Sequence, residues 1–184
     1  IRSVEDLGCI ATLGFRGEAL PSIASVSRLT LTTCAQLGET GTWLELDGGV
    51  IRQVREWTGP VGTSIEVRQL FFNTPARLKF LKSDSTELSA ITELVSRLAL
   101  AQPQIAFTLR HEGSNLVTTS GSNDLFQAVA EVWGREYAGA LVETTIEGPR
   151  FRIHGYVSPP HLTRPTRAYQ FVYVNRRAVR SRTI

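Results

Sequence analysis

Between Arg28 and Val67 the chain alternates apolar and polar residues in four short runs, and no other feature limits its possible folds so strongly. Arg28–Cys34 is rich in Thr and Leu, and Thr42–Asp47, Val50–Trp57 and Thr63–Val67 follow it. A period of two sends every second side chain to one face, which is the mark of a strand with one side covered. Gln36–Gly41 and Thr58–Gly62 read as turns, and Asp47-Gly48-Gly49 is a strong hairpin signal, because glycine supplies the positive φ that a tight hairpin needs. Four strands joined by short turns after a helix predict an α+β fold with an antiparallel meander.

The preceding helix belongs to the stretch Thr12–Ile23. Gly14 and Gly17 bracket Phe15 and Arg16, and apolar residues follow at Leu20, Ile23, Ala24 and Val26. The spacing predicts a glycine-hinged loop running into a helix that begins near Gly17. The first N–H groups of a helix lack backbone partners, and glycine lets them approach an anion closely. Arg16 adds a charge-assisted donor fork, so the arrangement suits a phosphate. On spacing alone, a plain loop-to-helix junction with a surface arginine describes the same residues. The motifs downstream decide between the two.

Gln69–Leu81 places three apolar residues, Leu70, Phe71 and Phe72, ahead of a short helix with Pro75 at its first position and Asn73 or Thr74 as its cap. This aromatic density predicts core. Ser85–Ala101 is the clearest amphipathic helix, with Leu88, Ile91, Leu94, Val95, Leu98 and Ala99 on one face and Pro103 ending it. Ile105–Leu109 and Leu116–Thr119 pair across Glu112–Asn115. The polar segment Thr119–Asp124 predicts a domain boundary, giving domains at 1–119 and 122–184. A helix over Leu125–Trp133, capped by Asn123 or Asp124, opens the second. Strands are expected near Ala140–Ile146, Phe151–Val157 and Tyr169–Val174.

Charge is distributed unevenly. From Arg150 to Ile184 there are eight arginines and no Asp or Glu, so that segment carries +8 and the rest −5 against a total of +3. A basic end on an acidic body suggests a surface that faces a polyanion. Cys9 and Cys34 show no paired spacing, which argues against a zinc site or a disulfide scaffold and suits a reducing compartment. His111, His154 and His161 lack metal-ligand spacing. No run of eighteen apolar residues suggests a membrane span, and the first residues carry no apolar signal core. With no methionine anywhere, the chain reads as an excerpt of a longer protein.

Four motifs now stand in order: Gly14-Phe-Arg-Gly-Glu-Ala-Leu20, Gly62-Thr63, Leu70-Phe-Phe-Asn-Thr-Pro-Ala-Arg77 and Val174-Asn175. In sequence and spacing they resemble the N-terminal region of the MutL family of DNA mismatch repair proteins, over essentially the whole chain. The resemblance implies a Bergerat-type GHKL ATPase sandwich, represented by its lid and C-terminal part, followed by a ribosomal S5 domain 2-like α/β unit that transduces and binds DNA. It implies that Gly14, Phe15, Arg16, Gly17 and Glu18 form the lid that wraps the ATP triphosphate, and that Thr63 supports adenine recognition. Glu18 is expected to cap the helix rather than act as a base. Asn73, Thr74 and Arg77 are expected to fix the turn beneath the lid, Arg77 alternatively meeting a carboxylate in the core. The family's catalytic Glu, its Mg²⁺-holding Asn and its adenine-reading Asp would all precede Ile1, and a γ-phosphate lysine would follow Ile184. The resemblance therefore implies ATP and Mg²⁺ as cofactors of the parent, with no catalytic residue or metal ligand inside this chain, which is expected to be inactive alone.

The implied role is that of a slowly hydrolysing, ATP-dimerised matchmaker that binds DNA backbone without sequence preference, through Arg176, Arg177 and Arg180 here. Its partners would be a mismatch-recognition protein and a downstream repair nuclease or helicase, in the cytoplasm with no membrane. Arg176 departs from the family, which has Gly at that position, and this puts the local turn in question. Two other readings compete: an ATPase subunit of a type II topoisomerase, and a basic binding module that uses no nucleotide.

Overall fold

The computed structural model describes residues 16–163 and 169–179. It divides into two compact units, Ile1–Leu81 and Lys82–Ile184. The expected boundary at 119–122 lies inside the second unit, where α3 and β6 both pack on α4, as defined below.

The first unit opens with α1 (Ala19–Ala24), two residues later than the expected start, followed by β1 (Arg28–Cys34), β2 (Gly41–Asp47), β3 (Val50–Trp57), β4 (Gly62–Arg68) and the single-turn α2 (Pro75–Leu78). All four strands form where the alternation puts them. Their order is not that of a meander. The sheet runs β3-β2-β1-β4, with β4 antiparallel to β1 in the register Leu29↔Val67 and Thr33↔Thr63. The chain therefore crosses from one edge of the sheet to the other after Trp57. Burial gives the reason: β1 holds the buried Leu29 and Cys34 and is flanked on both sides, whereas β3 carries Arg52, Arg55 and Glu56 and is exposed almost throughout. Charged strands suit edges. At the hairpin between β2 and β3, Gly48 and Gly49 sit at φ 58° and 86° as the sequence requires.

The core of this unit is Ala24, Val26, Leu29 and Cys34, closed by the fully buried Ser27. The Leu70–Leu81 segment is not core: Phe71 is half-buried, Phe72 and Leu70 are exposed, and Phe80 is 85% exposed. Its three-aromatic density serves the turn instead. Arg28 lies over the Phe72 ring at 5.5 Å.

The second unit comprises α3 (Asp84–Ala101), β5 (Thr108–His111), β6 (Ser114–Thr118), α4 (Leu125–Trp133), α5 (Arg135–Gly139), β7 (Val142–Gly148), β8 (Phe151–Val157), β9 (Val172–Val174) and β10 (Arg177–Val179). Each sheet here is a two-stranded antiparallel hairpin. Asp124 caps α4 as expected, accepting from Phe126 N–H at 2.8 Å and Gln127 N–H at 3.3 Å. The core gathers Leu100, Ala128, Val129, Ala130 and Ala138, with Trp133, Tyr156, Phe171 and Tyr173 packed around them. The buried face of α3 differs from the apolar stripe: Ile91 and Leu94 are exposed, while Ser96 and Arg97 are buried. Arg97 is accommodated because its guanidinium meets Glu93 at 2.9 Å and lies 4.2 Å over the Phe171 ring. A cation can be buried when a carboxylate and a π face replace its water.

Candidate functional site

Of the expected phosphate loop, Gly14 and Phe15 lie outside the described residues. Arg16, Gly17 and Glu18 are exposed at the start of α1. Gly17 has φ +65°, and nothing lies within 4 Å of where a Cβ would stand. Glycine is needed there for its backbone conformation, not for space. Glu18 occupies the N-cap position, but its side chain accepts no cap hydrogen bond, so the expected capping role is corrected. Its backbone is already helical, with φ −96° and ψ −15°, whereas a capping residue holds a non-helical, typically extended backbone. At six residues α1 carries little macrodipole, and any attraction for an anion rests on exposed N–H groups and on Arg16.

Thr63 sits near the start of β4, after Gly62 at φ +130°. Its hydroxyl is 2.8 Å from that of Thr33 across the β1–β4 pairing. The two hydroxyls satisfy each other with one donor to spare, which leaves Thr63 at an edge strand with capacity for a further bond.

The turn after β4 corrects a second pair of caps. Thr74 is the N-cap of α2 without a side-chain cap bond, and its Oγ1 is buried with no partner. Asn73 does not cap either; its amide donates to Ser25 O at 2.9 Å. Arg77 is exposed on α2 and enters no core. Sequence reasoning missed the Asn73–Ser25 link, because the residues are 48 apart and no local pattern connects them.

In the second unit, Asn175 and Arg176 form a two-residue loop between β9 and β10, closed by the pairing Val174↔Arg177. Both carry positive φ, 49° and 64°. This matches the mirror-type turn that twists with its strands. The conformation that the family's glycine would allow is thus adopted with arginine in its place. The turn presents Arg176 exposed and Arg177 half-buried; Arg180 lies outside the described residues. Behind the turn, the Tyr173 hydroxyl donates to the Arg97 carbonyl at 3.0 Å, and burial pushes its pKa up to about 12. A cavity of about 490 Å³ lined by Trp133, Tyr156, Phe171, Tyr173 and Arg176, among others, opens beside it. Among the described residues no group of three His, Cys, Asp or Glu is placed to hold a metal, and no helix is long and apolar enough to cross a membrane.

A family model described as DNA mismatch repair protein, C-terminal domain, matches residues 129–184. The chain is 46% identical over 181 residues to the DNA mismatch repair protein MutL of Streptococcus sanguinis, strain SK36, covering 98% of this chain and 28% of the relative. To MutL of Geobacillus kaustophilus, strain HTA426, it is 49% identical over 98% of this chain and 29% of the relative. Among solved structures it resembles the Aquifex aeolicus MutL ATPase domain complexed with ADP, with a TM-score of 0.76, 32% identity, and coverage of 98% of this chain and 68% of that one. The chain thus spans under a third of the length of the curated relatives it matches.

Proposed function

This chain belongs to the MutL family of DNA mismatch repair proteins and has the mixed helix and sheet fold of the family's ATPase domain; from that premise we propose that its parent binds and slowly hydrolyses ATP. The observation that carries the reading is the alignment of 98% of the chain with an ATPase domain that was solved with ADP. In this reading Gly14, Phe15, Arg16, Gly17 and Glu18 wrap the triphosphate. The exposure of residues 16–18 and the positive φ of Gly17 are compatible with a loop that closes on an anion. Thr63 supports adenine recognition through its spare hydrogen-bonding capacity.

Bound Mg²⁺ would supply charge neutralisation at the phosphates. In this reading its ligands and the general base come from parts of the parent outside this chain, as the family resemblance implies. What this chain's own residues do is enclose and orient the nucleotide. We therefore expect the isolated 184-residue chain to be inactive, and measurable turnover by it would overturn that expectation.

In this reading an S5 domain 2-like unit occupies the C-terminal part of the chain, where the family match covers residues 129–184. Arg176, Arg177 and Arg180 contact phosphates without reading bases, a mode that the +8 charge of the segment from Arg150 on supports through its attraction for the backbone. ATP binding dimerises the parent in the cytoplasm and signals to a mismatch-recognition protein and a downstream nuclease or helicase.

The test pairs two measurements on the full-length parent. Changing Arg16 and Gly17 both to Ala should abolish nucleotide binding. Arg177→Glu should weaken matched and mismatched duplexes equally and lower the salt dependence of binding by about one charge. A parent that neither binds nor hydrolyses ATP would refute the lid, and a loss confined to one DNA sequence would refute the backbone mode.

A further inference from the structure

Three consecutive carbonyls at the exit of α1 each accept a hydrogen bond from a distant part of the chain. Ser25 O accepts from the Asn73 side-chain amide at 2.9 Å, Val26 O from Phe71 N–H at 2.6 Å, and Ser27 O from Gly48 N–H at 3.0 Å. The serine hydroxyls tie the same corner inward, Ser27 to Ile23 O at 2.7 Å and Ser25 to Ser22 O at 2.8 Å. The last carbonyls of a helix have no partners within it, and here the nearby ones are all taken up. The other end of α1 is different. Arg16 through Ile23 are exposed, and Glu18 makes no cap bond.

Two of those three donors come from one turn, and that turn is held in an unfavourable shape. Gln69 and Phe71 have φ of 49° and 66°. An aromatic residue at positive φ is an outlier that persists only where its surroundings hold it. What holds it here is the bond from Phe71 N–H to Val26 O at 2.6 Å. Gly49 completes the fit: a Cβ there would stand 3.2 Å from Ser25 Cα.

We infer that Gln69–Asn73 is a socket that fixes the exit of α1, and that Asn73 is thereby a positioning residue for the nucleotide lid. The inference rests on the assignment of residues 14–18 as that lid. A loop can close reproducibly on a ligand only if one end of it is anchored, because an unanchored helix adds its own disorder to what binding must restrict. Asn73 does not touch nucleotide in this account. It acts by holding Ser25, and through Ser25 the helix from which the lid extends.

The experiment uses the full-length parent and the equilibrium binding of a fluorescent, non-hydrolysable ATP analogue, with thermal unfolding measured without nucleotide. Asn73→Ala and Asn73→Asp both remove the amide donor, the second with almost no change of shape. Each should raise Kd about fivefold, the ratio carried by one ordinary hydrogen bond. Leu31→Ala, which loosens β1 in the same unit away from the socket, should lower the unfolding temperature and leave Kd within twofold. The inference is overturned if the Asn73 variants unfold earlier yet bind as the wild type does, or if Leu31→Ala weakens binding equally. Loss of binding in the Arg16→Ala, Gly17→Ala double variant with unchanged Asn73 variants removes the socket and keeps the lid. No effect in that double variant removes both.

Discussion

The turn at Gln69–Asn73 and the turn at Asn175–Arg176 both hold non-glycine side chains at positive φ: 49° and 66° at Gln69 and Phe71, and 49° and 64° at Asn175 and Arg176. The first sends its donors inward, to Ser25 and Val26. The second is closed by a pair of three-residue strands and leaves Arg176 exposed. In the first, the unfavourable backbone is compensated by hydrogen bonds that only this shape allows. In the second, Asn at the first position tolerates the left-handed region, whereas Arg is disfavoured there. One turn stores strain to grip the protein, and the other spends it to present a cation. Strain by itself therefore does not say which way a segment works; the partners of its N–H groups do.

The largest expected effect breaks the gripping turn from the opposite side. Gly49→Val puts a β-branched residue at φ 86° with its Cβ 3.2 Å from Ser25 Cα. Backbone strain and overpacking together should lower the unfolding free energy by about 2–4 kcal/mol. Urea unfolding of the full-length parent measures this, and a loss below about 1 kcal/mol would mean that the α1 exit yields easily. The matching substitution Gly17→Val meets open space, so it should cost only the strain of its φ of 65°.

A smaller effect is expected at the base of the presenting turn. Tyr173 donates to the Arg97 carbonyl, and burial raises its pKa from 10.0 to about 12. A group whose folded pKa is raised adds stability that is fully present below its unfolded pKa, near 10, and is lost as pH climbs through the folded value. Stability should therefore fall between pH 10 and about 12. Tyr173→Phe should cost about 1 kcal/mol at neutral pH for the lost hydrogen bond and flatten that alkaline decline. An unchanged alkaline profile in the variant would assign the decline to other groups.

The comparison also marks how far residues alone could be read. Period-two alternation located β1 to β4 almost to the residue, and Asp47-Gly48-Gly49 fixed the hairpin, because both are local consequences of backbone geometry. The placement of β4 beside β1 was not legible, since turn chemistry says that a chain reverses and not which edge it joins. α5 and β10, at five and three residues, are shorter than any periodicity can register. The apolar stripe of α3 misled because the helix buries Arg97 against Phe171, a contact 74 positions apart in the sequence. At the candidate site, the positive φ of Gly17 could be anticipated from residue type alone. The bond from Asn73 to Ser25 could not, because Asn73 looked like a cap and its true partner is set by tertiary packing.

The finest test of the contrast is Arg176→Gly, which restores the residue that the family resemblance leads one to expect. At φ 64° an arginine bears a left-handed penalty of roughly 1–2 kcal/mol that glycine does not. Glycine loses more backbone freedom on folding, which takes back roughly 0.5–1 kcal/mol. The net gain in stability should therefore be small, about 0.5–1 kcal/mol, and Asn175→Gly should gain less, since Asn already tolerates the region. If the turn exists to present charge, the same change should weaken DNA binding and reduce the salt slope by about one, so that stability and affinity move in opposite directions. A variant that is both more stable and equally avid would mean that Arg176 is tolerated in its turn rather than used there, and the phosphate contacts would then rest on Arg177 and Arg180. A variant that loses stability would mean that the arginine side chain packs to advantage against the aromatic lining of the adjoining cavity, which would make the presenting turn a second gripping one.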